Sequence, residues 1–370
     1  MGLTNFAGLT SEQKTVWSRD LWSAARDKMF IKKFLGKGSG TMIQRITDLT
    51  KTTKGEKCLM FLVADLVSDG VVGDNEREGN EEELKAYDQE IVIDLVSHGV
   101  RNKGKLSDQK TVINFRQQAK DKLAYWLANR LDQLAFLTMS GISYAQMCNG
   151  AARVNSSFPD LSFAADVSAP TANRHLNWTG SALVAGNTAT VAATYLPTYK
   201  MIVDLVAFAK DHYIKPLNGG GKEYYVLLVK PGTLAHLKKD ADYQRAVTTA
   251  LPRNSKNPWF TGATVTIDGV VIHEHNLVYS TTGRAADALW GSGSDIEGTR
   301  TLLCGAQCLG MSDLGAPEWA EKEFQFDSQK GINIDKMFGF LKPKYHSIHD
   351  DNVEDFGIVA IDHYLPNGRS

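Results

Sequence analysis

Cysteine is scarce in this chain: four in 370 residues, Cys58, Cys148, Cys304 and Cys308, each in an apolar stretch. Disulfide-stapled secreted domains are short and cysteine-dense, so the chain reads as one made in a reducing cytoplasm, with buried thiols. Cys304 and Cys308 have no second pair near them, and zinc wants four ligands, so they read as packing and not as half a metal site. An excess of either charge is also lacking: 41 Lys and Arg stand against 42 Asp and Glu, a formal net charge of -1. No surface-wide attraction for nucleic acid or anionic lipid follows. The apolar run Leu59 to Ala64 is far short of the roughly 20 residues that span a bilayer. No basic region followed by an apolar one opens the chain, and Phe6 stands where an acylation signal wants Ser or Thr, so neither a secretory signal nor a myristoyl anchor is expected. The motifs GxSxG, HExxH, CxxC and GxGxxG are all missing, which removes the commonest sequence marks of hydrolase, zinc and dinucleotide chemistry.

What is present is an ordinary globular composition, 43% hydrophobic and 22% charged, in a length that predicts two packed units. Trp17, Leu21, Trp22, Ala25, Met29 and Phe30 recur at helical spacing, with Ser11 as cap. Gly36-Lys37-Gly38-Ser39-Gly40-Thr41 has the wrong order for a phosphate-binding loop and reads as a flexible arm turning into a strand. Residues 56–66 and 89–100 read as two strands. Between them lies a polar stretch carrying Asp74, Glu76, Glu78, Glu81, Glu82 and Glu83. That is too long for a tight turn and predicts an extended, protruding loop with paired ends, whose exposed edges call for a partner. From Val112 the apolar positions Phe115, Ala119, Leu123, Trp126, Leu127, Leu131, Leu134 and Leu137 step by three and four, capped by Ser107 or Asp108 and stopped at Gly141. Such a helix is roughly 50 Å long at 1.5 Å per residue, a spine for a sheet to pack on. Ser107 and Lys110 match the start of a penicillin-binding signature, but no Lys-Thr-Gly follows and the capping reading stands. Residues 142–194 read as irregular structure around the spine.

A second, α/β unit follows. It has helices at 196–212, 234–239 and 243–251, a buried strand at Tyr224–Val229, a hairpin turning at Asp268-Gly269, and a strand at 300–305. Strands return at 331–341 and 356–364. Two clusters have the residue types of a metal site. His273 and His275 share one face of a strand, and His346 and His349 lie near Asp350, Asp351 and Glu354. The plainer reading of each is a partly exposed strand or a solvated turn. The acidic stretch lacks the alternating ligand pattern of a calcium loop, leaving a solvated run or a contact with basic residues of a neighbour.

The stretches 70–74, 78–84 and 91–94, and the block 106–111 running into the Trp126-bearing helix, resemble the coat-protein family of N-four-like phages. The resemblance implies a major capsid protein of the α+β class with the Hong Kong ninety-seven type fold, self-assembling into an icosahedral shell around the phage double-stranded DNA. It implies a non-enzyme without catalytic residue, cofactor or metal. Residues 1–50 would be an N-terminal arm, 51–106 an extended β-hairpin loop, 107–195 a peripheral domain with the spine helix, 196–310 an axial domain, and 311–370 a return to the peripheral domain. Partners would be further copies in hexamers and pentamers, a separate scaffolding protein, a portal and a decoration protein. DNA would be enclosed without sequence-specific binding, and no membrane is involved. The site would be the virion, after assembly in the host cytoplasm. Inter-subunit contacts are expected at Asp74, Glu76, Glu78, Glu81 and Glu82 of the loop and at Trp17 and Trp22 of the arm. Two other readings remain at this point: a metal-dependent enzyme using His273/His275 or His346/His349, and a homo-oligomeric binding module.

Overall fold

The computed structural model describes residues 11–49, 55–63, 68–82, 86–104, 115–219, 221–250, 265–326, 328–346 and 352–365. The aromatic spacing near the N-terminus forms helix α1 (Ser11–Lys28), which buries Leu21, Trp22 and Ala25. The glycine-rich run is a turn between two short parallel strands, β1 (Leu35–Gly36) and β2 (Ile43–Ile46), as expected of an arm entering a sheet. Strands β3 (Lys57–Val63) and β4 (Ala86–Val92) pair antiparallel from Lys57↔Val92 to Val63↔Ala86. The strand expected over 89–100 is in fact two. The chain breaks step at Ile93, and β5 (Asp94–Arg101) leaves the hairpin for another sheet.

The spine is helix α2 (Phe115–Ser140); its expected caps Ser107 and Asp108 lie outside the described residues. Its stop is as expected. Gly141 adopts φ +65°, its N–H donates to the Thr138 carbonyl, and Ile142 N–H donates to Leu137, the paired bonds of a glycine C-terminal cap. The first turns show one buried stripe, but from Leu134 to Ser140 every side chain is buried. That end of the rod is enclosed between two sheets.

Beyond the spine come β6 (His175–Trp178) and β7 (Leu183–Ala185), then helix α3 (Tyr199–Asp211), strands β8 (Leu217–Gly219) and β9 (Lys222–Val229), and helices α4 (Pro231–Leu237) and α5 (Ala241–Ala250). Asp268 and Gly269, both at positive φ, turn β10 (Val265–Ile267) into β11 (Val270–Glu274). Then come β12 (Gly298–Cys304), β13 (Leu309–Asp313), β14 (Glu318–Phe324), β15 (Gln329–Leu341), β16 (Lys344–His346), β17 (Val353–Asp355) and β18 (Ile358–Tyr364).

Two large sheets result. One runs β1-β2-β13-β15-β14, with β5 on the free side of β15; the other runs β10-β11-β9-β12-β18-β6-β7, with β8 on β9. The second sheet is covered on both faces, which is why β9 holds the apolar run Tyr224–Val229 and why β12 and β18 are buried at nearly every position. Tyr225, Leu227, Val229 and Ile361 meet α3, α4 and α5, while Val226, Leu228, Leu302 and Ala360 meet the spine side. Here the structure corrects an expectation. The sequence groups strand β18 with the spine's own domain, yet it pairs with β12 and β6 in the α/β sheet. Its alternate faces are both apolar, which only a sheet covered on two sides can accommodate.

The hairpin root is seated by two glycines of the first sheet. A Cβ on Gly310 would meet Ile91 and Met60 at 2.8 and 2.9 Å, and one on Gly339 would lie 2.1 Å from the Val92 carbonyl oxygen. Ile46, Cys58, Met60, Ile91 and Leu341 form a small separate core there. Gly339→Ala is therefore expected to lower stability by about 1–3 kcal/mol, the usual cost of overpacking. The comparison is Gly38→Ala, where the added methyl has nothing within 4 Å. Urea midpoints that fall equally, or in neither variant, would show that the seating is loose.

Candidate inter-subunit surface

The β3–β4 ladder leads to a tip, residues 68–82, in which every side chain but Val71 is exposed. It carries six acids and one arginine. Its polar bonds are local: Ser68 N–H donates to Glu82 at 2.8 Å, Asn75 to the Val72 carbonyl at 2.8 Å, Gly79 N–H to Glu81 at 2.7 Å, and Asn80 to the Glu76 carbonyl at 2.9 Å. Of the five acids expected to meet a neighbour, Glu81 and Glu82 thus also brace the loop. Asp74, Glu76 and Glu78 lie on its exposed surface. Val72 is 77% exposed at the same tip.

The arm's two tryptophans are placed differently from the expectation. Trp22 is buried, with the Lys336 ammonium 4.2 Å from its ring centre. Trp17 is partly buried against Trp319 at 5.8 Å, with Lys120 over its face. Both are spent on the chain's own core, because α1 lies along α2 and β14 and its apolar face needs that cover. Lys336 also pairs with Asp313, which receives Arg45 of β2 at 2.6 Å. Burial pushes the Asp313 carboxyl up, but Lys336 and Arg45 outweigh it and hold it below the ordinary range.

A second clasp has no mark in the sequence. Asp132, inside the spine, accepts backbone N–H bonds from Phe30 and Ile31 at 2.9 and 3.2 Å. Burial pushes its carboxyl up to about 6, the two N–H donors offsetting only part. The raised value means the folded state holds the proton more tightly than the unfolded chain. The associated stability is full below about pH 4 and is lost as pH rises through about 6. Two pH units correspond to up to roughly 3 kcal/mol. Relative to wild type, Asp132→Asn should gain stability between pH 4 and 7. A wild-type-minus-variant difference flat across that range would show that Asp132 is not desolvated as described.

Of the histidines in the two clusters, His273, His275 and His346 pack against aromatic rings. His275 stacks between Phe30, at 4.2 Å, and Phe136, at 5.1 Å, and His273 meets Phe34 edge-on at 5.2 Å. Burial, with Lys230 and Lys33 nearby, pushes His275 down to about 4, so the ring is neutral at physiological pH. His346 stacks on Tyr87 at 5.8 Å; His349 lies outside the described residues. Among the described residues no group of three or more His, Cys, Asp or Glu is arranged to hold a metal ion. The four cysteines are buried free thiols, with Cys148 pushed by burial up to about 12. A cavity of about 680 Å³ beside the outer end of the β3–β4 ladder is lined by Tyr87, Arg174, Lys215, Tyr345, Glu354 and Phe356. Its charges are of both signs, with Arg174 and Glu354 paired at 2.9 Å, and select no ligand class.

Two sheets, an enclosed spine and an exposed acidic tip, with every described histidine of the candidate clusters spent on packing, describe a structural subunit. Comparison with known proteins gives the class its family. Residues 5–367 match the phage capsid protein family. A major capsid protein of Pseudomonas phage KPP25 is 48% identical over 363 residues, 97% of this chain and 96% of that protein. In fold, the chain is similar to the capsid of Ralstonia phage GP4 (TM-score 0.75, 23% identity, 92% of each chain). It is also similar to the cyanophage Pam1 capsid (TM-score 0.70, 19% identity, 99% of this chain and 96% of that one). The chain belongs to the phage capsid protein family, with the Hong Kong ninety-seven type α+β fold, and it forms the capsid shell of the virion.

Proposed function

We propose that this chain is the major subunit of an icosahedral shell around double-stranded DNA, acting by association and without catalysis. The exposed acidic tip beyond a seven-pair ladder carries the reading. It reaches a neighbouring copy, where Asp74, Glu76, Glu78, Glu81 and Glu82 meet basic side chains, with Trp17 and Trp22 holding the arm in place behind it. Residues 1–50 are the arm and 51–106 the extended loop. The spine and first sheet form the peripheral part. Residues 196–310, joined by β6, β7 and β18, form the axial part that gathers at five- and six-fold vertices. A near-neutral charge lets packed DNA lie against the shell without sticking. Scaffolding, portal and decoration proteins are separate partners, and assembly takes place in the host cytoplasm.

Electron microscopy of the purified chain over a concentration series tests this, because assembly is steeply concentration-dependent. Shells, rings or sheets are expected. A particle of fixed small size at every concentration would remove the reading.

A further inference from the structure

Phe326 is displayed whole. It stands in the turn between β14 and β15, 102% exposed, with φ +52°. Gln325 beside it has φ +50°, and Ser328 N–H donates to the Gln325 carbonyl at 3.1 Å. A large side chain in the left-handed region costs on the order of 1–3 kcal/mol, which glycine would relieve. Among the described residues nothing accounts for an aromatic ring there, since it is neither buried nor suited to the backbone.

On the same end of the same hairpin is a groove of about 380 Å³, lined by Gly99, Ala320, Lys322, Phe324, Gly331 and Asn333. It lies on the face turned away from the core, opposite the buried Ile332 and Ile334. Gly99 and Gly331 sit inside paired strands, where a Cβ would lie 2.7 Å from the Phe324 ring at Gly331 and 3.0 Å from the Asn333 side-chain oxygen at Gly99, so Phe324 and Asn333 pack over them and shape the groove. The rim is basic, with Arg101 4.2 Å and Lys322 5.3 Å from the Phe324 ring centre.

We propose that this hairpin is an anchor between copies, the Phe326 ring of one copy seating in the Gly99–Ala320–Gly331 groove of the next. Charge favours a second copy as the occupant. The exposed Glu323 beside the aromatic supplies an acid to meet Arg101 and Lys322 of the neighbour. Tip and groove at one end of one hairpin also allow a single rotation axis beside it to place every tip on a neighbouring groove, closing a ring. The anchor rests on shell assembly but uses neither the acidic tip, residues 68–82, nor the arm, so it stands or falls separately from the contacts assigned to them.

Cysteine pairing tests the contact directly, because the four native thiols are buried. The full chain carrying Phe326→Cys and Ala320→Cys is assembled, oxidised and run on a non-reducing gel. Ala320 lies four residues before Phe324, the end of β14, about 13 Å along the strand, and Phe326 lies in the turn beyond it, too far for a disulfide within one chain. Dimers and higher multiples are expected from the double variant, and monomer from each single variant. No crosslinked product, or crosslinking by Phe326→Cys alone, overturns the assignment. Independently, Phe326→Gly should keep or raise the melting temperature while raising the concentration needed for assembly by about tenfold or more, the scale of an aromatic hot spot. Assembly at the wild-type concentration overturns it.

Discussion

A chain lacking residues 69–85 is expected to fold and then fail to close shells. The tip's polar bonds are made within the tip, and the deletion removes no residue of the β3–β4 ladder. What fixes the hairpin to the body is its root: Met60 and Ile91 against Gly310, and the Val92 carbonyl against Gly339. After the deletion, residues 64–68 join Val63 to Ala86, five residues and so the length of a common hairpin loop. The melting temperature should move by no more than a few degrees, with circular dichroism unchanged. Association is another matter. Obligate interfaces bury on the order of 2,000–5,000 Å², and an interface weakened in one copy is weakened in every copy, so the deficit multiplies around a closed shell. Sedimentation should show small species where wild type sediments as shells. Because the tip carries six acids against one arginine, wild-type assembly should also weaken as salt rises from 0.1 to 1 M, where the screening length falls from about 10 to about 3 Å. Shells of normal size and yield from the shortened chain would end the loop assignment.

The elements that were legible in the sequence are those whose periodicity is set by one partner. Helix α1, the two arms of the hairpin, the Gly141 stop, the Asp268-Gly269 turn and the buried β9 all follow from spacing and turn chemistry. What escaped is where one run changes partner. Residues 89–100 read as one apolar-rich run, yet β4 answers to β3 and β5 to β15, and composition is blind to which strand lies alongside. Strand β14 was missed because its exposed face is Glu, Ala and Lys, the composition of a loop. Trp126 belongs to the helical stripe by spacing, but it is only half-buried and stacks on His98 at 4.3 Å. Asp132 could not be read at all, because its partners Phe30 and Ile31 lie about a hundred residues away. Among the candidate contacts, the acidic tip was visible as composition. Phe326 had a faint mark, an aromatic between Gln and Asp in a turn that prefers glycine.

The largest effect on folding is expected where the spine's end meets the second sheet. Arg300 of β12 grips Asp362 of β18 with two bonds of 2.7 and 2.8 Å. Its third nitrogen donates at 2.7 Å to the Ser140 carbonyl, the last of α2, where a cation complements the helix dipole. His175 of β6 lies 2.6 Å from the same carboxylate. Three strands and the spine thus share one ion pair, and Arg300 and Asp362 are at most 2% exposed. Burial alone would push the Asp362 carboxyl up; Arg300 and His175 more than offset this and hold it below its ordinary range. Arg300→Met removes the partner and leaves the carboxylate enclosed, a loss of about 3–5 kcal/mol, enough to unfold a domain of ordinary stability. The double variant Arg300→Met with Asp362→Leu removes both charges and should recover a large part of the loss, because the cost lies in the unpaired ion and not in the missing bond. The lowered carboxyl pKa gives the pair a pH signature of definite sign. Its contribution is complete above about pH 4, the ordinary carboxylate value, and is lost as acid titrates the folded-state group. In the double variant that portion of acid sensitivity should be absent. If the single and double variants unfold at the same urea concentration, the pair is not what joins the spine to the sheet.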